Sequence, residues 1–116
     1  MNFDLPWPPT NNHYFAVVRG RKILSRQGRD YREKVKVLLF GDRGSYRTTD
    51  RLRVGIAAFP PDRRKRDLDN LPKAILDALQ HAEVIPDDSQ IDELTIRRCS
   101  KANGGLINVS IGVIDG

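Results

Sequence analysis

The sequence of 116 residues predicts an α/β fold of the α+β type, with one mixed β-sheet and two helices in a single compact domain covering residues 1–116. Several short segments alternate apolar and polar residues, which indicates half-buried strands, and two longer segments repeat apolar residues at helical spacing. The length suffices for one hydrophobic core and is too short for two. The predicted order β, ββ, α, β, α, ββ favours a sheet with both helices packed on one face.

The first elements are predicted to be a strand and a hairpin. Residues 2–5 form the strand, which ends at residues 6–9 because the prolines there fix φ. Residues 10–12 predict a turn before the hairpin strands 13–18 and 22–24. The hairpin turn carries three cations, Arg19, Arg21 and Lys22. They indicate either a charged, solvated turn or a finger that contacts phosphate groups.

The first helix is predicted to begin after Ser25, which suits an N-cap, and to end near Phe40, because Gly41 is typical of a C-terminal stop. Apolar residues at helical spacing give it a buried face, namely Tyr31, Val35, Leu38 and Leu39. Residues 42–50 are polar and predict a loop that leads out of this helix.

The second half of the chain predicts a strand, a helix and two further strands. Residues 52–58 alternate in a way that predicts one buried face. The helix is predicted over residues 70–82, since Pro72 falls in the first turn, where its missing N–H has no intrahelical partner. Its buried stripe is Leu71, Ile75, Ala78, Leu79 and Ala82. The last strands, 94–99 and 106–113, flank an Asn-Gly-Gly sequence that is typical of a hairpin turn.

The composition favours a negatively charged partner. Lys and Arg number 20 against 15 acidic residues, which gives a net charge of +5 and a pI near 9.7. The single cysteine, Cys99, cannot form an internal disulfide. No apolar run approaches the ~18 residues of a membrane span, and the N-terminus lacks the features of a signal peptide. The chain is therefore expected in the cytoplasm without a membrane partner. No glycine-rich phosphate-binding motif occurs, so no nucleotide cofactor is expected.

The most informative stretch is residues 63–73, in which four consecutive cations lead into two aspartates. The cations are Arg63, Arg64, Lys65 and Arg66. Asp67 and Asp69 follow at the start of the second helix, where an aspartate commonly caps the helix and favours its dipole. The same pattern also suits a site that holds a polyanion and a divalent metal. One acid is enough to cap the helix. The second acid is therefore not explained by capping, and a metal site remains an alternative hypothesis.

One line of the second helix, opposite its buried stripe, holds Asp69, Lys73, Leu76 and Gln80. Asp69 and Lys73 form either an i, i+4 salt bridge, worth only ~0.3 kcal/mol, or a site in which Lys73 stands beside a metal and meets a phosphate oxygen or a leaving group. Leu76 is the apolar member of this polar line. It is exposed, lies in an interface with a partner, or inserts between bases, and we favour the interface.

A second pair of acids, Asp87 and Asp88, follows this helix. They indicate either a turn or cap assisted by Ser89, or further metal ligands. Mg²⁺ takes oxygen ligands and often uses only one or two protein carboxylates together with substrate phosphate. Three aspartates from the two segments would therefore suffice for one or two Mg²⁺ ions, which can activate water and stabilise the leaving oxygen of a phosphodiester.

At these residues the chain resembles the RusA family of Holliday junction resolvases, which are phage-derived endonucleases. The resemblance rests on the pattern Asp67-x-Asp69-Asn70-x-x-Lys73, on the preceding residues 61–66, and on Asp87-Asp88 after the helix. The N-terminal residues 5–12, Leu-Pro-Trp-Pro-Pro-Thr-Asn-Asn, are also similar to the opening of the family. Length and element order agree as well, so the resemblance covers nearly the whole chain.

The resemblance implies a homodimer that resolves four-way DNA junctions by paired symmetric nicks in recombination and repair, using Mg²⁺, with Mn²⁺ as a substitute. It assigns the metal ligands to Asp67, Asp69 and Asp88, the last in preference to Asp87, and the essential lysine to Lys73. The DNA-binding residues are expected to be Arg63, Arg64, Lys65, Arg66, Arg19, Arg21 and Lys22. Relatives can carry an aromatic residue where this chain has Leu76.

The predicted reaction is in-line attack of metal-activated water on a phosphodiester, which leaves a 5′-phosphate and a 3′-hydroxyl. Lys73 is expected to stabilise charge on the phosphate or the leaving group, and the basic run to bind the DNA backbone. Two alternatives remain at this point. One is a basic DNA-binding protein without catalysis, whose aspartates cap a helix. The other is a nuclease of broader specificity for branched DNA.

Overall fold

The structure is a computed structural model that describes residues 1–114, the side chains of Asn11 and Asn12 excepted, so the last two positions of the predicted domain 1–116 lie outside the described residues. The strands are β1 Asn2–Leu5, β2 Phe15–Val18, β3 Arg21–Leu24, β4 Leu52–Phe59, β5 Ile91–Arg98 and β6 Leu106–Val113. The helices are α1 Asn11–Tyr14, α2 Arg26–Leu38 and α3 Pro72–His81. Short 3₁₀ turns cover Phe40–Asp42, Leu68–Asn70 and Asp88–Gln90.

The main sheet has four strands in the order β1-β6-β4-β5. Strand β5 runs parallel to β4, while β6 runs antiparallel to both β4 and β1. This arrangement confirms the predicted mixed sheet with two long helices. The predicted hairpin of β2 and β3 also forms, but as a separate two-stranded sheet outside the mixed one.

The core lies between the main sheet and the helices α2 and α3. Strand β4 alternates as predicted, and its buried residues are Leu52, Val54, Ile56 and Ala58. The predicted stripe of α3 is buried as well, and it joins these residues in one apolar cluster. On the opposite face of the sheet Arg51 and Arg53 are exposed and pair with Asp92 and Glu93 of β5. Both helices therefore cover one face of the sheet.

The predicted hairpin between the last two strands is wrong. Strand β4 lies between β5 and β6, so that Ala58 is paired with Arg98 on one side and with Ile107 on the other. A chain that leaves β5 must cross the end of β4 before it returns as β6, because β5 and β4 are parallel. The Asn-Gly-Gly sequence still turns the chain, and Gly104 and Gly105 both have φ of +76°.

Two local predictions are also corrected. The predicted turn at residues 10–12 and the start of the next strand form the helical turn α1, in which the carbonyl oxygen of Thr10 accepts the N–H groups of His13 and Tyr14. Helix α2 begins after Ser25 as predicted, but it ends at Leu38, and this residue is exposed rather than buried. Tertiary packing decided both points, because the ring of Tyr14 is wholly buried and the end of α2 reaches solvent. No helix within residues 1–114 combines the length and apolar content needed to cross a bilayer.

Candidate active site

The basic loop before α3 is organised by a carboxylate, Asp62. One oxygen of this side chain accepts the backbone N–H of Arg64 at 2.9 Å and lies 2.8 Å from the guanidinium of Arg66. These contacts, led by the hydrogen bond from Arg66, lower the pKa of Asp62 to about 2. The Arg66 side chain is 24% exposed, whereas that of Arg64 is 83% exposed. Arg66 therefore helps to shape the loop, while Arg64 faces solvent.

The first pair of predicted metal ligands lies in the turn that leads into α3. Asp67 has extended backbone and precedes the 3₁₀ turn that contains Asp69, and both residues are exposed. No side-chain hydrogen bond caps this turn, and Leu71 rather than an aspartate occupies the N-cap of α3. The hypothesis that these aspartates cap the helix is therefore wrong. Asp69 and Lys73 also do not form the i, i+4 ion pair within residues 1–114.

The two acids of the second pair have different roles, since Asp87 caps a turn and Asp88 does not. Asp87 caps the 3₁₀ turn Asp88–Gln90, because its side chain accepts the N–H of Ser89 at 2.9 Å while the side chain of Gln90 accepts the N–H of Asp87. The bond from Ser89 lowers the pKa of Asp87. The side chain of buried Gln90 also donates to the carbonyl oxygens of Arg47 and Asp50. Asp88 is exposed and does not serve as the cap.

Lys73 and Asp88 lie on the walls of one cleft of about 490 Å³. The polar face of α3 supplies one wall, and the backbone N–H of Asp88 donates to the side chain of Gln80 at 3.1 Å, which holds the acidic turn against the helix. Leu76 is half-buried in this wall and packs against the core. Of the predicted line of Asp69, Lys73, Leu76 and Gln80, the last three residues therefore form a surface of the cleft, and Asp69 does not line it.

The hairpin forms the opposite side of the same cleft. Lys22 and Phe15, one on each strand of the hairpin, both line it. The ammonium of Lys22 lies 4.4 Å from the centroid of the Phe15 ring, and the ammonium of Lys73 lies 5.8 Å from it. A cation within about 6 Å of an aromatic face is attracted by the ring quadrupole. Phe15, which was not predicted as a site residue, thus brings together two lysines from different elements.

The tip of the hairpin is a two-residue turn. Arg19 and Gly20 have φ of +53° and +77°, as a type I′ turn requires, so Arg19 occupies a left-handed conformation that favours glycine. Arg19 and Arg21 are exposed. Of the three cations predicted at this hairpin, Lys22 is the one that lines the cleft.

A half-buried network fixes the hairpin and α3 relative to each other. The hydroxyl of Tyr14, directly before Phe15, donates to the carboxylate of Asp77 on α3, and the guanidinium of Arg32 on α2 lies 3.2 Å from the same carboxylate. Burial, followed by the hydrogen bond to Asp77, raises the pKa of Tyr14 well above its ordinary value. Tyr14 therefore keeps its proton and donates to Asp77 at neutral pH. Its members are far apart in sequence, so no local pattern could have indicated it.

The three predicted metal ligands do not form one cluster. Asp88 lies in the cleft, whereas Asp67 lines a neighbouring cavity beside the basic loop. In the described part of the chain no three His, Cys, Asp or Glu side chains lie close enough together to hold a metal ion. The donors themselves are carboxylate oxygens, which Mg²⁺ prefers, and one or two of them with a substrate phosphate form a common Mg²⁺ site. The donor chemistry therefore fits a hard divalent cation.

Comparison with known proteins gives a consistent result over almost the whole chain. The family model described as Endodeoxyribonuclease RusA matches residues 6–112. The chain is 37% identical over 110 residues to the crossover junction endodeoxyribonuclease rusA of Enterobacteria phage 82, which covers 95% of this chain and 92% of that protein. It is 36% identical over 110 residues, with the same coverage, to the crossover junction endodeoxyribonuclease RusA of Escherichia coli strain K12. The protein of phage HK97 is 37% identical over 109 residues, covering 94% of this chain and 91% of its own. The chain therefore belongs to the RusA family of endodeoxyribonucleases.

Proposed function

We propose that this chain is a Mg²⁺-dependent endonuclease that resolves four-way DNA junctions by paired symmetric nicks in recombination and repair. The observation that carries the proposal is the cleft in which Lys73 and Asp88 lie together beside Lys22. The names of its relatives, crossover junction endodeoxyribonucleases, support the same activity. The proposed domain spans residues 1–116, and the expected location is the cytoplasm of a bacterium or of a phage-infected host.

The proposed metal ligands are Asp67, Asp69 and Asp88. Two of these carboxylates with an oxygen of the bound phosphodiester would satisfy the needs of Mg²⁺, and Mn²⁺ would accept the same donors. When bound, the metal would supply an activated water and stabilise the leaving oxygen. Asp67 and Asp69 do not cap α3, so neither carboxylate is engaged at the end of the helix. This observation supports their assignment as metal ligands.

Lys73 is proposed to stabilise charge on the phosphate and on the departing 3′-oxygen. Its ammonium is held near the Phe15 ring, and a fixed cation in a partly enclosed cleft stabilises developing charge more than a mobile surface lysine does. Lys22 is proposed to bind the neighbouring phosphate from the hairpin side. The products would be a 5′-phosphate and a 3′-hydroxyl.

The DNA backbone is proposed to bind the exposed cations of the basic loop and the hairpin tip. These cations are Arg63, Arg64, Lys65, Arg19, Arg21 and Lys22, with Arg66 contributing from a half-buried position. A junction has approximate two-fold symmetry and needs two matching nicks, while each chain supplies one set of aspartates. We therefore propose that the active form is a homodimer.

The decisive experiment compares the wild type with Asp69→Asn on a labelled four-way junction, each with and without Mg²⁺. We expect Asp69→Asn to lose nicking about 100-fold or more while it still binds the junction, because a metal ligand contributes several kcal/mol to the reaction. Asp30→Asn, an exposed aspartate on α2, is the matched control and should cleave normally.

Unchanged cleavage by Asp69→Asn would remove this residue from the site. Absence of any Mg²⁺-dependent cleavage by the wild type would favour a DNA-binding protein without catalysis. Linear duplex of the same sequence serves as a competitor. Equal cutting of duplex and junction would contradict the proposed selectivity and favour a nuclease of broader specificity.

A further inference from the structure

A second cavity, distinct from the cleft, lies beside the basic loop and has a volume of about 390 Å³. It lies at the carboxyl ends of β4 and β5, which meet at one edge of the sheet because the two strands are parallel. Ligands of open α/β sheets commonly bind outside the carboxyl ends of the strands. The volume is also within the range of small-ligand sites. We call it the Trp7 cavity, after the indole that forms part of its wall.

The lining of the Trp7 cavity combines a flat apolar surface with a cationic rim. Trp7, Leu68 and Leu71 form apolar parts of the wall, and the guanidinium of Arg66 lies 5.7 Å from the centre of the Trp7 ring. The rim includes the basic run of residues 63–66 together with Arg98 and Lys101, against two carboxylates, Asp62 and Asp67. Asp62 is already engaged by Arg64 and Arg66. The remaining charge is therefore strongly positive, and the ligand that matches it is flat, apolar on its faces and anionic at one end.

We propose that the Trp7 cavity takes one unstacked nucleotide of the DNA, with its base against Trp7 and its phosphate on the cationic rim. A cavity of this size cannot admit a base pair with its stacked neighbours, so the base must leave the helix. This step costs least for a base that is already unpaired, as at a branch point. Stacking of a base on an aromatic side chain is worth roughly 1–3 kcal/mol, which is enough to retain it.

The position of Asp67 connects this cavity to the proposed reaction. The same aspartate that is proposed as a metal ligand lines the Trp7 cavity. A nucleotide held there would place its own backbone next to the aspartate pair. The proposal rests on the proposed function. It also explains why the enzyme would select branched DNA, because a fully paired duplex has no unpaired base to place in the cavity.

The test uses Cys99, which lines the cavity, is half-buried and is the single cysteine of the sequence. The rate of its alkylation by monobromobimane is measured in the native protein, with EDTA present so that no cleavage occurs. We expect a saturating four-way junction to slow alkylation about tenfold. A linear duplex, and a junction with abasic sites at the branch-point nucleotides, should leave the rate within about twofold of the free protein.

Equal protection by intact and abasic junctions would overturn the proposal, because no base would then be needed. Equal protection by the duplex, or no protection at all, would overturn it as well. A free deoxynucleoside monophosphate that protects as strongly as the junction would mean a site for a soluble nucleotide instead. If Cys99 does not react in the free protein, the cavity is closed to ligands and the proposal fails.

A variant pair gives an independent readout. Cys99→Phe places a large side chain at the cavity wall, and Cys99→Ala is its matched control. We expect Cys99→Phe to bind the junction about tenfold more weakly than Cys99→Ala. The two variants should bind linear duplex with equal affinity. Their melting temperatures are measured to show that both are folded. Equal junction affinity of the two variants would contradict the proposal. Because binding is measured without Mg²⁺, this result is separate from loss of cleavage in Asp69→Asn, which tests the metal site.

Discussion

Lys22 and Lys73 share one aromatic ring, since their ammonium groups lie 4.4 and 5.8 Å from the centroid of Phe15. Two cations from separate elements repel each other, and such an arrangement is stable only where other groups offset the repulsion. Here the ring faces both cations, and Asp88 lines the same cleft. The arrangement supports the proposed position of a phosphate group between the hairpin and α3.

Replacement of Phe15 by leucine should lower the junction-nicking rate about threefold. Loss of the ring removes an attraction worth roughly 0.5–1 kcal/mol for an exposed cation–π pair, and tenfold in rate corresponds to about 1.4 kcal/mol. The rate is measured in single-turnover assays at saturating enzyme. Phe15→Tyr keeps the ring and should retain the wild-type rate, and equal rates for the two variants would show that the ring does not act through the lysines.

Substitutions at Asp87 and Asp88 should have opposite consequences. Asp87→Ala removes a cap, so we expect the melting temperature to fall by a few degrees while the folded enzyme still cleaves. Asp88→Asn should leave the melting temperature near that of the wild type and abolish cleavage, because the proposed metal ligand is lost. Thermal denaturation and junction nicking on both variants test this. Loss of cleavage in Asp87→Ala with retention in Asp88→Asn would reverse the assignment.

The basic loop should lose its order in acid as Asp62 becomes protonated. Contacts with Arg66 and Arg64 lower the pKa of Asp62 to about 2 from an ordinary value of 3.8. A depressed pKa stabilises the folded arrangement at pH values above 3.8, and this stabilisation is lost as the pH falls towards 2. Trp7, the single tryptophan, has its ring centre 5.7 Å from the guanidinium of Arg66 and reports the change by fluorescence.

Asp62→Asn supplies the control for this acid transition. At pH 7 its tryptophan spectrum should already resemble that of the acid form of the wild type, and it should show no transition between pH 4 and 2. A variant that follows the same curve as the wild type would mean that another group controls the loop.

Arg64 and Arg66 should differ in how they affect the salt dependence of DNA binding. Arg64→Gln should flatten the slope of log affinity against log salt concentration by about 0.9, the value for one lost phosphate contact, because the Arg64 side chain is largely exposed. Arg66→Gln should weaken binding with a smaller change in slope, since Arg66 donates to the carbonyl oxygens of Asp62 and Arg64 and holds the loop. Titrations by fluorescence anisotropy at several salt concentrations distinguish the two. Equal slopes would mean that Arg66 contacts phosphate as fully as Arg64 does.

The turn before β6 offers a matched pair of glycines. Gly104 and Gly105 share φ of +76°, but a Cβ at Gly104 would meet no atom within 4 Å, whereas one at Gly105 would lie 2.8 Å from Cβ of Trp7. We expect Gly104→Ala to destabilise the protein by about 1 kcal/mol and Gly105→Ala by about 2–3 kcal/mol, because the latter adds a steric clash to the backbone strain. Urea denaturation measures both. Equal losses of unfolding free energy in the two variants would mean that the Trp7 side chain shifts to accommodate the added methyl group without destabilising the protein.

The local patterns in the sequence predicted the elements well where each pattern is self-contained. Strand β6 has its predicted bounds, Ser25 is the N-cap of α2, and the stripe from Leu71 to Ala82 is buried. Pairing between β5 and β6 was wrong, because a turn sequence shows that the chain reverses and not which strand it rejoins. The roles of Phe15 and Gln90 were missed for a similar reason, since Lys73 and the carbonyl groups that Gln90 contacts are distant in sequence. Asp62 has local partners, but the run of charges did not show which cation it would engage.

The sequence by itself determined the family, the candidate aspartates and Lys73, because the spacing of these residues within and after one helix is a local property of the chain. Only the tertiary structure decided how they are used. Asp87 is a cap, whereas Asp88 lines the cleft. Asp67 and Asp69 do not cap α3. Lys22 and Lys73 both lie close to the ring of Phe15. The physical reason is that hydrogen-bond and cation–π partners are fixed by distance in space, which depends on how the hairpin, the loop and α3 pack against the same core.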